Sequence, residues 1–391
     1  MAIVTRAARR DEFDAVRGII ARAFPTHDEA RLWDALVAHD SALTSECVRV
    51  ATIDTRLVAC VVALPREIRA RGGLVPGAIV TLVACEPDRQ RQGYGSAAMR
   101  DALAWMAARG LALGVLYGHP TYYPRFGFVP VLPSWQTDLS VGPDDAPITP
   151  PGASDQDSTF QPIRELPTAP VPAIALLPAT DEHTPDLARL YAATIGPYPC
   201  AVARGTDAWL WRPRDADQHQ VLVLADRAGY AFVSPDAEES TLTVHEAAAG
   251  DTSTACRLLT ALQREGHDRG LAHLRLTLPP DHILARLARL ASASQIYRPA
   301  TAGMAVITRW DRLLPPRYQV DDEGIRFGWI RVLRANRRHL TELALGYHGV
   351  DDLLLTPECA LPDGDGAAHL TQLRDDFPPL FPHWSLAPFW F

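Results

Sequence analysis

Apolar residues recur at three- and four-residue steps between Glu12 and Phe24: Phe13, Val16, Ile19, Ile20 and Phe24. That spacing places them on one face of an α-helix. Pro25-Thr26-His27-Asp28 breaks the pattern. Thr26 or Asp28 can cap a second helix carrying Ala30, Leu32, Trp33, Leu36 and Val37. Residues 3–9 read as a strand ahead of both helices. Two strands follow, Cys47 to Ile53 and Leu57 to Leu64, joined by the polar turn Asp54-Thr55-Arg56. A strand-like run from Ala78 to Cys85, a helical run from Ala97 to Ala108 and a strand from Leu111 to Tyr117 come next. Residues 1–135 therefore read strand, two helices, three strands, helix, strand, and a tail.

The pattern then changes. Pro143, Pro147, Pro150, Pro151, Pro162, Pro167, Pro170 and Pro172 stand among Asp, Ser and Gly, the composition of a linker with short extended pieces. A second unit begins at Ala173. Asp186 to Thr194 is helical, with Leu187, Leu190 and Tyr191 on one face. Val221–Leu224, Gly229–Val233 and Thr241–Val244 read as strands, Thr252–Arg269 as an amphipathic helix and Leu271–Leu278 as a strand. The quartet Arg109-Gly110-Leu111-Ala112 recurs as Arg269-Gly270-Leu271-Ala272, 160 residues later. Both copies join a helix to a strand, and the shared element order reads as a duplication.

A third segment covers 315–391. Arg338 to Leu345 and Ala367 to Leu373 read as helices, with Asp363-Gly364-Asp365-Gly366 as a loop. The chain ends with Trp384, Phe389, Trp390 and Phe391. Rings of that size are costly to leave in water, so the tail is expected to lie against protein. The expected domains are 1–140, a linker at 141–172, 173–314, and 315–391.

Composition narrows the class. At 391 residues, two to three domains are expected, and 47% apolar residues suffice for real cores. No run of 18 apolar residues occurs, so no membrane span is expected, and the first residues lack the order of a signal peptide. A net charge of -8 without a basic block argues against a nucleic-acid partner and mildly favours cationic ligands, although solubility alone explains it. Cys47, Cys60, Cys85, Cys200, Cys256 and Cys359 form no CxxC pairs. They read as buried thiols of a reducing cytoplasm, not as disulfides or a metal site.

The candidate chemistry starts at Gln90-Arg91-Gln92-Gly93-Tyr94-Gly95-Ser96, between a strand and a helix. A helix start leaves backbone N–H groups unpaired at the positive end of its dipole, and glycines let an anion approach them. The turn reads either as a pyrophosphate cradle or as a tight connection without ligand. At the repeat offset Gln90, Gly93 and Gly95 become Gly250, Ser253 and Ala255, and Tyr123 becomes Ile283. The second copy is thus expected to be structural, or a wall of the site.

The turn and the later segment Tyr123-Pro124-Arg125-Phe126-Gly127-Phe128 together resemble the GCN5-related N-acetyltransferase (GNAT) superfamily. The whole chain resembles its Eis-like (enhanced intracellular survival) branch, through Leu340 to Tyr347 and the aromatic terminus. The stretch between Trp310-Asp311 and Leu340 is shorter than that branch's third domain should need. The resemblance implies an α/β fold of two tandem GNAT-type mixed-sheet units, the second degenerate, plus a small sterol-carrier-like α/β segment. It implies acetyl-CoA as acetyl donor and no metal. Gln90, Arg91, Gln92, Gly93, Gly95 and Ser96 would hold the pyrophosphate, and the splayed strand at Val83, Ala84 and Cys85 would pair with the pantetheine arm. Tyr123 would be the general acid, since a phenol with a pKa of about 10 stays protonated at neutral pH. Packing against Phe126 and Phe128 is its plainer role, and Tyr122 is a second choice. For the base, Glu86 and the terminal carboxylate of Phe391 both stand open. Phe24 and Trp33 are candidate acceptor-pocket residues, with core packing the plainer role. A homo-oligomer is also implied.

Two functions are compatible with these residues. One is acetyl-CoA-dependent N-acetylation of an amine on a cationic small molecule (aminoglycoside- or polyamine-like) or on lysine. The other is a non-catalytic CoA- or lipid-binding scaffold.

Overall fold

The computed structural model describes residues 3–25, 29–71, 73–141, 174–204, 220–290, 294–361 and 369–378. Its elements run β1 (Val4–Ala7), α1 (Phe13–Ala23), α2 (Glu29–His39), β2 (Val48–Ile53), β3 (Arg56–Ala70), β4 (Gly73–Cys85), α3 (Tyr94–Ala108), β5 (Leu113–Tyr117) and β6 (Val129–Ser140). They continue with β7 (Leu176–Pro178), α4 (Thr184–Thr194), β8 (Gln220–Leu224), β9 (Gly229–Asp236), β10 (Thr241–Ala249), α5 (Thr252–Asp268), β11 (His273–Leu276), α6 (Ile283–Leu290) and β12 (Ser294–Ile307). Last come β13 (Tyr318–Asp321), β14 (Gly324–Phe327), β15 (Ile330–Arg334), α7 (Arg337–Leu345), α8 (Val350–Leu354) and α9 (Leu370–Asp376).

The chain divides into two compact units, and neither is one continuous stretch. Of the described residues, the first unit holds 3–133, 198–203 and 299–378, and the second holds 134–197 and 204–298.

In the first unit β1, β2, β3 and β4 pair antiparallel in order, and β5 joins β4 in parallel. The far side of β5 is taken by β12, from Gly303 opposite Tyr117 to Ile307 opposite Leu113. This strand was not legible in the sequence, and it extends the sheet with residues almost 200 positions downstream of β5. Helix α3 covers one face. Its Ala98, Met99, Ala102 and Met106 are fully buried among Val58, Val61, Ala78, Leu116, Phe128 and Met304. The small alanines let the helix lie close to the sheet, and burial of this surface is the main favourable term.

Strands β3 and β4 run further than the alternation suggested, through Pro65 and Pro76, to a turn at Arg71. Prolines usually end a strand because they lack a donor. Here the extension gains a second partner: Arg69 donates to Ala201 at 2.7 Å, Cys200 donates to Arg69 at 2.8 Å, and Ala203 donates to Glu67 at 2.7 Å. That partner lies more than a hundred residues away, where local patterning cannot see it.

The second unit repeats the order. Strands β7 to β10 pair antiparallel, β11 joins β10 in parallel, and residues Thr137–Ser140 of β6 close the far side of β11. Helix α5 packs Leu258, Leu259 and Leu262 onto this sheet. The repeated quartets have the same geometry. Gly110 and Gly270 are left-handed at φ 73° and 72°. Leu111 donates to Met106 and Leu271 to Gly266, each at 2.9 Å. Both are Schellman ends, in which a left-handed glycine returns the next N–H to a late helix carbonyl. The quartet recurs because this geometry is needed twice.

The third segment joins the first unit as a three-stranded antiparallel sheet, β13 to β15, with the helices α7, α8 and α9 among the described residues. The helix expected at Arg338–Leu345 forms as α7. The loop at 363–366 lies outside the described residues.

Candidate active site

The strand that leads to the glycine turn is bent at its end. Cys60 faces Ala84 but Val62 faces Thr81, so Leu82 and Val83 together oppose Val61. Leu82 takes the extra turn at φ 49°. Such a bulge redirects the strand. Pairing between β4 and β5 covers only Gly77–Leu113, Ala78–Gly114 and Ile79–Val115. Past Ile79 the strands part, and Val83, Ala84 and Cys85 have no partner on that side among the described residues. Ala84 is buried, while Val83 and Cys85 are half-buried. This opening lies at Val83 to Cys85, the residues that the resemblance assigns to the pantetheine arm.

Gln90, Arg91, Gln92 and Gly93 are exposed, and Ser96 is half-buried. Arg91 is left-handed at φ 62° and Gly93 at φ 93°. Gly93 is the N-cap of α3 and offers no side-chain cap. The first helical bond runs from Ala97 N–H to Gly93 at 2.9 Å. The N–H groups of Tyr94, Gly95 and Ser96 therefore lack an intrahelical acceptor. Gly95 N–H points toward the Cys85 thiol; burial raises that thiol's pKa and the N–H partly offsets it. Arg91 makes no ion pair among the described residues. Gln92 donates to the Asp88 carbonyl at 3.1 Å. A bare helix start with an unpaired arginine, next to an opened strand edge, fits a pyrophosphate followed by an extended arm.

The tyrosine segment closes on this turn. After β5, Gly118 N–H is held by Ala302 at 2.9 Å. Tyr123 to Phe126 form a single 3-10 turn ended by Gly127 at φ 88°. The Tyr123 ring lies against Gly118, where any Cβ would come within 2.2 Å of it. It meets Phe128 edge-on at 5.9 Å and Tyr122 at 5.0 Å. Burial, then the neighbouring Tyr122, pushes its phenol up to about 12. The Tyr122 hydroxyl stands 3.2 Å from where a Cβ on Gly95 would be. Tyr122 is thus the ring that touches the glycine turn. Arg125 stacks over it at 4.2 Å and donates to its carbonyl at 2.8 Å.

Residues 4–131 match the model of the acetyltransferase (GNAT) domain. The first unit carries a GNAT acetyltransferase domain. No curated protein matches the chain. Three solved structures share its fold over nearly full length. One is a protein from Enterococcus faecalis V583 described as "Probable N-Acyltransferase", at 17% identity and TM-score 0.73, covering 98% of this chain and 99% of that one. Another is a GCN5-related N-acetyltransferase from Anabaena variabilis, at 15% identity and TM-score 0.72 with the same coverage. A third is Eis1 from Mycobacterium abscessus, at 18% identity and TM-score 0.66, covering 97% of each chain. At these identities the likeness is one of fold: two tandem GNAT-type units, the second degenerate.

The degeneration has a physical form. The second unit keeps the bulge, now between Val244 and Glu246 of β10. Its helix start is filled by its own side chain, because the Asp251 carboxylate accepts Thr254 N–H at 2.7 Å. That bond, the largest cause, holds Asp251 below the usual carboxylate range. A carboxylate seated there satisfies the orphan donor and repels a phosphate. Its N-cap position is readable in Asp251-Thr252-Ser253-Thr254 ahead of an apolar run.

Other candidates fall elsewhere. Glu86 is 3% exposed and bidentate with Arg22, at 2.9 and 2.8 Å. This pair, chiefly through its hydrogen bonds, keeps Glu86 below the usual carboxylate range. A carboxylate so committed is a poor proton acceptor. Trp33 is 2% exposed and meets Phe13 edge-on at 5.0 Å, so it is part of the helical core and not a pocket wall. Phe24 is half-buried at the C-cap of α1. Phe391 lies outside the described residues.

Proposed function

We propose that the protein is an N-acetyltransferase that uses acetyl-CoA as donor and a primary amine of a cationic small molecule or of lysine as acceptor. The observation that carries this reading is the opening of β4 from β5 beside the uncapped start of α3. Backbone N–H groups of Tyr94 to Ser96 and the Arg91 guanidinium would hold the pyrophosphate, and the free edge at Val83 to Cys85 would pair with the arm. The donor supplies a thioester acetyl group. A neutral amine attacks its carbonyl carbon, the N–C bond forms, the C–S bond breaks, and the sulfur takes up one proton. Tyr123, protonated at every pH near neutral, is the proposed source of that proton, and Tyr122 is placed to steady the turn. The Phe391 carboxylate is the proposed acceptor of the amine's proton, with Glu86 set aside by its pairing. The same proposal extends to a sterol-carrier-like third segment, a cytoplasmic home and a homo-oligomer.

The test is release of free CoA thiol from acetyl-CoA across a panel of aminoglycosides, polyamines and lysine peptides. Turnover on at least one amine supports the reading. Tight CoA binding without turnover on any would favour the non-catalytic scaffold, for which the self-capped second unit is a precedent within the same chain.

A further inference from the structure

Two guanidinium groups meet at one ring beside the glycine turn, within the first unit. The Arg125 guanidinium carbon lies 4.2 Å from the ring centre of Tyr122 and 5.6 Å from that of Phe126. The Arg100 guanidinium carbon lies 5.8 Å from the same Phe126 ring. Phe126 meets Tyr122 edge-on at 5.3 Å, and Tyr122 brings its hydroxyl to Gly95. Both arginines thus stand next to the start of α3. Arg100 is five residues past Gly95, about 7.5 Å of helix rise. A helical side chain leans back toward the N-terminus, which returns its guanidinium toward the turn.

These charges are not neutralised by the protein. Arg125 spends its Nε on the Tyr122 carbonyl. Its Nη groups, and every side-chain N–H of Arg100, have no acceptor among the described residues. The nearby carboxylates are committed elsewhere: Asp101 to Arg49 at 2.6 Å and Thr5 at 3.3 Å, Asp88 to Arg89 at 3.4 Å, and Glu86 to Arg22. The first turn of α3 holds no acidic residue. Both arginines are exposed. Stacking covers the face of a guanidinium and leaves its in-plane donors pointing outward. A second like charge beside the first is unfavourable until an anion joins them.

The chemistry of the proposed donor supplies that anion. CoA carries a third phosphate, a monoester on the ribose 3′ carbon, one sugar away from the pyrophosphate. A phosphate monoester bears close to two negative charges at neutral pH and three strong acceptor oxygens, which suits two guanidinium forks.

We propose that Arg100 and Arg125 bind the 3′-phosphate of CoA and make the site selective for CoA over dephospho-CoA, the same molecule without that group. This deepens the function proposed above and rests on it.

The experiment titrates CoA and dephospho-CoA into the full chain by calorimetry, with no amine present. The unaltered chain should bind CoA about 10-fold or more tighter than dephospho-CoA. Arg100→Met and Arg125→Met should each shrink that ratio by about 3-fold or more, and the double variant should bring it close to unity. Dephospho-CoA affinity should stay at the parent value in Arg100→Met, which separates a lost phosphate contact from damage to the turn. Arg100→Lys, which keeps the charge without the fork, should retain part of the ratio. Equal losses for both ligands in the variants would overturn the proposal. So would equal affinities in the unaltered chain, and then the CoA site stands while its selectivity for the 3′-phosphate falls. Binding of neither ligand would remove the proposed function and this assignment together.

Discussion

Arg22 closes two N–H groups on the two carboxylate oxygens of Glu86, at 2.9 and 2.8 Å, and so joins α1 to the end of β4 across 64 residues of sequence. The pair stands where a catalytic base could be expected, and it acts as a fastening. Glu86→Gln should therefore reduce stability by about 1 kcal/mol, discounted for the exposed side of Arg22, and change kcat less than about 3-fold. A fall of about 10²-fold in kcat at unchanged melting temperature would return the base role to Glu86. The folded pKa lies below the ordinary 4.5. The pair's contribution is thus fully present above that value and is lost as pH falls through the folded value. Melting temperature measured from pH 7 downward should show a smaller acid loss in Glu86→Gln than in the unaltered chain.

Tyr123 is the proposed general acid. Tyr123→Phe should lower kcat by about 10²-fold or more and leave acetyl-CoA affinity unchanged, because its ring keeps its place against Gly118 and Phe128. With its phenol at about 12, this group stays in its donating form until pH rises through that value. The rate should show no alkaline decline from Tyr123 below about pH 11. Steady-state kinetics across pH checks both statements, and a Tyr123→Phe variant as active as the parent would end the assignment.

Asp251 blocks the second helix start. Calorimetry should find one molecule of CoA per chain. Asp251→Ala removes the cap and should cost about 1 kcal/mol, read as a lower denaturation midpoint, without altering acetyl transfer. Two equivalent CoA sites in the unaltered chain would contradict this account.

A chain cut after Ser140 should not fold into an active unit. It lacks Gly303–Ile307, which pair with β5 and place Met304 and Val306 in the core against α3. Circular dichroism and CoA binding test this. A soluble, CoA-binding 1–140 fragment would show that β5 tolerates an open edge.

The role proposed for the Phe391 carboxylate requires a free chain end. Three or four residues added after Phe391 should reduce kcat by about 10-fold or more, with acetyl-CoA affinity maintained. Full activity in such an extended chain would remove the terminal carboxylate from the mechanism.

Much of this protein was determined by sequence alone, wherever the deciding interactions are local. The three-to-four spacing of Phe13, Val16, Ile19 and Ile20 specified α1. The strand, glycine turn and helix around Gly93 needed no distant partner, and neither did the Arg-Gly-Leu-Ala helix ends, since each is settled within a few residues by φ angles and helix carbonyls. Tertiary structure alone decided the rest. It paired Glu86 with Arg22, put Trp33 in the core beside Phe13, brought the Tyr122 hydroxyl to Gly95, and lengthened β3 and β4 by supplying residues 198–203 as a partner. It also set β12 beside β5 and Pro378 beside Arg71, 307 positions away. Those outcomes depend on which surfaces meet after collapse. Periodicity records which face of an element is apolar, but not which distant strand or charge will cover it.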